Sequence, residues 1–159
     1  KLEPGEGDTL VIAGMGGPLM ERILNEGAKV REGFQELILQ PQSDLPHFRH
    51  FLSEIGWEIV REEMIKEDGK FYPMMKAVRN KTGKKIMYTE AEAWFGPLLL
   101  EKCHPILKEY LLREASIREK ILADLSGAGA SSASAKDRLA EVKEEMELIK
   151  SALGRYESI

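Results

Sequence analysis

The chain has 159 residues, enough for one compact domain or a small domain with an extension, and it is 43% hydrophobic and 31% charged, as expected of a globular protein with a real core. No apolar run approaches the roughly 20 residues that span a bilayer, and no charged-then-apolar leader opens the sequence, so a cytoplasmic setting is the expectation. A formal net charge of −4 argues against nucleic-acid binding by bulk charge, and the single cysteine, Cys103, excludes an internal disulfide and a cysteine-rich metal site.

Thr9-Leu10-Val11-Ile12-Ala13 is a short, β-branched apolar run that reads as a buried strand of a parallel sheet. Gly14-Met15-Gly16-Gly17 then predicts a turn, and Pro18 suits the first turn of a helix whose Leu19, Met20, Ile23 and Leu24 recur at helical spacing before Gly27. Glu36-Leu37-Ile38-Leu39-Gln40 reads as a second buried strand ended by Pro41. Ser43 or Asp44 can cap the next helix, with Phe48, Phe51, Leu52 and Ile55 as its inner stripe and Gly56 as its close. The rhythm β-α-β-α predicts parallel strands with right-handed crossovers.

Residues 57–66 and 70–79 are two extended runs joined by Asp68-Gly69, a strong hairpin signal. Thr89-Glu90-Ala91-Glu92 is a capping box opening a helix that Gly96-Pro97 interrupts. A long helix is predicted over residues 105–125, with Leu107, Tyr110, Leu111, Ile117, Ile121 and Leu125 facing inward, followed by a flexible connector over residues 126–132. In the last helix Leu139, Val142, Met146, Ile149, Leu153 and Tyr156 alternate at three and four, a coiled-coil seam. Two such helices predict an antiparallel hairpin. A structural or oligomerising arm and an RNA-gripping arm are both open for it, since it is nearly neutral. The expected division is residues 1–100 for the α/β part and 101–159 for the helical arm.

Residues 70–85 hold Lys70, Lys76, Arg79, Lys81, Lys84 and Lys85 with no Asp or Glu, and Phe71 and Tyr72 sit at the start. Such a strip can meet phosphate and stack on bases, or it is a hairpin edge guarded by lysine. Three histidines are present, His47, His50 and His104. A zinc site from His47, His50 and a carboxylate is one reading, and surface histidines on a helix is the simpler one; no metal is expected.

A sheet that begins parallel and finishes with an antiparallel hairpin resembles the ending of the class I methyltransferase fold, a Rossmann-like sheet. Four stretches in this order and spacing resemble the bacterial tRNA (adenine-22-N1)-methyltransferase family: Ile12-Ala13-Gly14-Met15-Gly16-Gly17, Leu37-Ile38-Leu39-Gln40-Pro41-Gln42, Asp68-Gly69-Lys70-Phe71-Tyr72 and Phe95-Gly96-Pro97. The family usually has Asn where Gln42 stands. The resemblance implies methyl transfer from S-adenosyl-L-methionine to N1 of an adenine in tRNA. Adenine N1 has an in-plane lone pair and no hydrogen, so the reaction needs positioning and exclusion of water rather than a general base.

Under this resemblance Gly14, Met15 and Gly16 position the adenine through backbone groups. Ala13, Gly14, Met15 and Gly17 contact the cofactor. Gln40, Pro41, Gln42, Lys70, Phe71 and Tyr72 contact the substrate. Related adenine and guanine methyltransferases carry an Asn/Asp-Pro-Pro-aromatic turn at the place of the glycine turn, so backbone contacts replace a side-chain acceptor here. No strand with a Gly-x-Gly-type loop precedes residue 9, so the expectation is a truncated chain, the C-terminal part of the sheet, without the main cofactor motif and inactive alone. An exposed sheet edge or the helical arm then predicts a homo-oligomer. The alternatives are a non-enzymatic module that oligomerises or binds RNA or another partner, and a methyltransferase with a different substrate.

Overall fold

The computed structural model describes residues 1–127 and 131–158, so part of the connector predicted over residues 126–132 lies outside the described residues. The chain divides into two compact units, Lys1–Leu99 and Leu100–Ile159.

The first unit is built on four strands, β1 (Thr9–Met15), β2 (Glu36–Pro41), β3 (Trp57–Glu67) and β4 (Lys70–Arg79), in the spatial order β1-β2-β4-β3. β1 and β2 are parallel, and β4 runs antiparallel to both β2 and β3. The crossover from β1 to β2 carries α1 (Gly17–Glu26) and a short α2 (Ala28–Arg31); α3 (Leu45–Glu54) follows β2. This is the expected parallel pair finishing in a hairpin. In β2, residues alternate between buried and half-buried, so Leu37 and Leu39 reach the helix-covered face. There they join Met20 and Leu24 of α1, Phe48 and Leu52 of α3, Trp57 and Ile59 of β3, and Met75 and Ala77 of β4. The opposite face is open at β1, where Val11 is 63% exposed.

Three features of this unit differ from the expected ones. β1, expected as a buried strand, has only Ile12 buried, because one of its faces is uncovered and leaves Val11 exposed. β1 does not stop at Ala13 but runs on to Met15, with a register shift between Ala13 and Met15. Met20 and Leu24 of α1 are buried, but Leu19 and Ile23 are exposed, because only one stripe of a ten-residue helix meets the sheet.

After β4 the capping box forms as read. Thr89 Oγ1 accepts from the Glu92 amide at 3.2 Å, and Glu92 Oε2 accepts from the Thr89 amide at 2.9 Å, opening α4 (Glu90–Phe95). Gly96 then breaks the helix and α5 (Pro97–Glu101) begins.

The second unit contains α6 (Pro105–Leu125) and α7 (Ala133–Glu157). Tyr156 Oη donates to the His104 carbonyl at 2.8 Å, and Arg118 Nε pairs with Glu145 at 2.8 Å, so the start of α6 lies beside the end of α7 and the helices are antiparallel. Leu107 and Leu111 of α6 and Val142, Met146, Ile149 and Ala152 of α7 are buried. Ile117, expected to face inward, is 38% exposed. No helix among the described residues is long and apolar enough to cross a membrane.

Candidate functional site

The parallel pair fixes where a ligand edge can be, because ligands of open α/β sheets bind beyond the carboxyl ends of the parallel strands. At that end of β1 the ladder pairs Ala13 with Gln40 and Met15 with Pro41 and skips Gly14. Gly14 is therefore a bulge residue. Its φ is +76°, a conformation that glycine adopts without the steric cost of a side chain. A Cβ placed on it would meet nothing within 4 Å, so a bare stretch of backbone faces open space. The Gly14 amide, displaced from the ladder, donates to Gln40 Oε1 at 3.1 Å. The turn expected from the glycines is thus a bulge at the end of a strand, pinned from the neighbouring strand.

The next two glycines serve a different purpose. The Gly17 amide donates to the Ser43 carbonyl at 3.2 Å and to Ser43 Oγ at 3.3 Å, and the Gln42 amide donates to the Met15 carbonyl at 2.9 Å. The loop after β2 is thereby sewn to the loop after β1. A Cβ on Gly17 would come within 2.5 Å of the Ser43 carbonyl oxygen, and one on Gly16 within 2.9 Å of Ser43 Oγ. Gly17 is buried with its amide committed, while Ala13 and Gly14 are exposed and Met15 and Gly16 half-buried.

Ser43, expected only as a helix cap, closes the start of α1 instead. Asp44 takes the cap position of α3 with φ +53° and no side-chain capping bond, so its left-handed backbone, not its carboxylate, turns the chain into the helix. Neither role shows in a single residue's propensity. One turn into each helix, His47 Nδ1 pairs with Glu21 Oε1 at 2.7 Å. The hydrogen bond and the charge of Glu21 hold the His47 pKa above its ordinary 6.5. A pKa raised on folding stabilises fully below the unfolded value and loses that contribution as pH climbs through the folded one. The His47 side chain is 76% exposed, so the contribution is below about 1 kcal/mol. The expected result is a downward shift of the His47 midpoint in Glu21→Gln, followed by imidazole NMR; an unmoved midpoint contradicts the pairing. His50 sits edge-on to Tyr88 with centroids 5.8 Å apart, and no three metal-binding side chains gather among the described residues.

The hairpin brings a third group to this end. β2 pairs with β4 only from Met75 to Val78, whereas β3 pairs with β4 down to Lys70. The ribbon of residues 65–72 therefore runs past the end of the β2–β4 ladder, which stops at Met75, by roughly 17 Å at Lys70 at the rise of a strand. Lys66 Nζ lies 5.5 Å from the centroid of the Phe71 ring, and Tyr72 pairs with Ile65, so its two faces carry one aromatic each.

The basic strip is not one surface. Lys70 and Arg79 sit at opposite ends of β4, about 30 Å apart. Lys76 pairs with Glu36 at 2.7 Å, and that contact, with a hydrogen bond from Thr9, holds the Glu36 carboxyl below its usual range. Arg79 donates to the Glu32 carbonyl at 2.9 Å and Lys85 pairs with Glu54 at 2.6 Å. Only Lys70, Phe71 and Tyr72 belong to the end that carries Gly14.

Phe95-Gly96-Pro97 does not reach this end through any described bond; it serves the interior. Arg49 and Glu62 are each 1% exposed and pair at 3.1 Å. Arg49 also donates to the Ala93 and Trp94 carbonyls at 2.6 and 3.3 Å, and Glu62 Oε2 accepts from the Leu98 and Leu99 amides at 2.9 and 3.4 Å. Burial pulls the Arg49 pKa down and the Glu62 carboxylate opposes it. The sequence hid this network, because both charges fall in otherwise amphipathic elements.

A family model described as tRNA (adenine(22)-N(1))-methyltransferase matches residues 1–151. The chain is 29% identical over 154 residues to a tRNA (adenine(22)-N(1))-methyltransferase of Bacillus subtilis, covering 96% of this chain and 64% of that protein's length. Its structure is similar to that of an uncharacterized protein from Listeria monocytogenes, with 33% identity, a TM-score of 0.84, and 92% of this chain and 63% of that one covered. It is also similar to a candidate tRNA (m1A22) methyltransferase of Streptococcus pneumoniae solved in complex with S-adenosyl-L-methionine, with 27% identity, a TM-score of 0.75, and 92% and 60% covered.

Proposed function

The chain belongs to the tRNA (adenine(22)-N(1))-methyltransferase family, and from that premise we propose that it forms the substrate-facing part of a site that transfers a methyl group from S-adenosyl-L-methionine to N1 of an adenine in tRNA. The observation that carries this reading is the Gly14 bulge: a side-chain-free stretch of backbone, open to solvent, at the carboxyl end of the parallel pair.

The residues fit the cofactor to that extent. Ala13, Gly14 and Met15 would line its reactive end, with Gly17 closing the loop behind them rather than touching it. S-adenosyl-L-methionine, when bound, supplies an electrophilic methyl on sulfur. The chain supplies position. Backbone at the exposed Gly14 and at the half-buried Met15 and Gly16 offers hydrogen-bonding groups to the flat base, and no side chain has to take a proton because N1 carries none. The bonds from Ser43 and Gln42 keep this backbone from yielding, which is where positioning gains its rate.

Gln42, which is exposed, flanks the base on the β2 side, and Pro41, which is buried, shapes the strand end that carries it. Lys70, Phe71 and Tyr72, on the overhanging ribbon, meet the RNA around it, with Lys70 on phosphate and the aromatics stacking on bases. A target in the tRNA core has to be unstacked or flipped first, and stacking on the ribbon offsets part of that cost. The open edge of β1 also favours self-association.

The test is methyl transfer to tRNA transcripts by the protein at its full natural length. Methylated adenine cannot pair through N1, so a reverse-transcription stop marks the position. Transfer to no tRNA sinks the reading. In the same assay Phe71→Ala is expected to raise KM for tRNA on the order of 10-fold, with kcat nearly unchanged, the size of one lost base–aromatic stack.

A further inference from the structure

We infer that Gln40 is a positioning residue of the methyl-transfer site, holding the Gly14 bulge with its side-chain carbonyl and offering its outward amide to a lone-pair acceptor on the ligand above the bulge. The inference rests on the function proposed above and deepens it.

The first half follows from the ladder. A bulge leaves its extra residue out of register, and an amide so displaced has to find another acceptor. Here the register passes from Ala13–Gln40 directly to Met15–Pro41, and Gly14 falls between. The Gly14 N–H turns to Gln40 Oε1 at 3.1 Å. Gln40 pairs with Ala13, the residue just before the bulge, so its side chain rises beside the amide that it catches. With φ at +76°, Gly14 has no side chain to wedge it, and this bond is what fixes the direction in which its peptide faces.

The second half follows from the chemistry of an amide. Because the Gly14 N–H is a donor, the atom facing it has to be the carbonyl oxygen, which fixes the Gln40 orientation and turns Nε2 the other way. No described residue accepts from Nε2, and it is not among the buried unpartnered atoms. Gln40 thus presents two N–H donors at fixed orientation beside bare backbone. Adenine answers such a donor with a ring nitrogen, and the cofactor with an oxygen or ring nitrogen of its own.

Two variants separate the two halves. Gln40→Leu removes the acceptor and the donors. Gln40→Glu keeps an acceptor for Gly14 and removes the donors. Hydrogen exchange of the Gly14 amide, followed by NMR, is expected to quicken about tenfold in Gln40→Leu and to stay near the wild-type rate in Gln40→Glu. In the methyl-transfer assay kcat is expected to fall in the order wild type, Gln40→Glu, Gln40→Leu, with at least a tenfold loss for the last. Both variants should raise the KM of one ligand about tenfold. A rise for tRNA assigns the acceptor to the base, and a rise for S-adenosyl-L-methionine assigns it to the cofactor. Unchanged Gly14 exchange in Gln40→Leu overturns the bulge lock, and unchanged KM for both ligands in Gln40→Glu overturns the donor. Gly14 exchange is read without any reaction, so an inactive wild-type protein counts against the proposed function and leaves the lock to be judged by itself.

Discussion

Replacing Glu62 with glutamine is expected to destabilise the protein by about 3–5 kcal/mol, the usual cost of removing one partner from a buried ion pair. Glu62 is 1% exposed, and so is the Arg49 that faces it at 3.1 Å. Glutamine keeps the shape but leaves a buried guanidinium without its counter-charge. The same carboxylate also accepts from the Leu98 and Leu99 amides, so a glutamine NH2 would have to face donors on one side or the other. Gly96 belongs to the same arrangement, since a Cβ on it would lie 2.8 Å from both carboxylate oxygens. Urea unfolding followed through the fully buried Trp57 checks the expectation, and a change below about 1 kcal/mol contradicts it. The paired change Arg49→Met with Glu62→Leu should recover a large part of the loss, because an apolar pair leaves no uncompensated charge. Recovery stops short of wild type, since the Ala93 carbonyl and Leu98 amide still lose their partners.

The second large effect is expected on rate. Gly17→Ala should lower methyl transfer on the order of 100-fold while the fold survives. A Cβ there would stand 2.5 Å from the Ser43 carbonyl oxygen, which is main chain and has no rotamer to escape into. The loop after β2 has to withdraw, and with it the Gln42 amide that holds the Met15 carbonyl. A displacement of about 1 Å in a positioning site is enough for a loss of this size. Stability should change little, because alanine at a helix start gains some of what the shifted loop costs. Gly16→Ala is the informative contrast. Its Cβ would meet Ser43 Oγ at 2.9 Å, the rotatable end of a side chain, so a loss below tenfold is expected. Steady-state kinetics of both variants decide the matter: equal losses would mean that the contact with the Ser43 main chain is not what matters.

Much of the fold was legible because it rests on local signals. The apolar run of Leu37, Ile38 and Leu39, the Asp68-Gly69 turn and the Thr89–Glu92 capping box each sit within a few residues. The candidate site was legible in part. The glycines after β1 pointed to the right edge of the sheet, but one motif proved to hold two devices. Gly14 is a bulge facing open space, and Gly16 and Gly17 are contact points for Ser43. The basic residues of 70–85 looked like one surface because they are neighbours in sequence. An extended strand carries such neighbours apart, so Lys70 alone reaches the site end and Lys76 is taken by Glu36.

By itself, then, the sequence determined the elements, their order, the parallel-then-antiparallel sheet and the family resemblance, since periodicity and turn residues act over short spans of chain. The tertiary structure alone decided the partners: Gln40 for the Gly14 amide, Ser43 for Gly17, Glu21 for His47 and Glu62 for Arg49. Each pair joins residues that are 13 to 26 positions apart. Such contacts depend on register and crossover geometry, which no local pattern of side chains encodes.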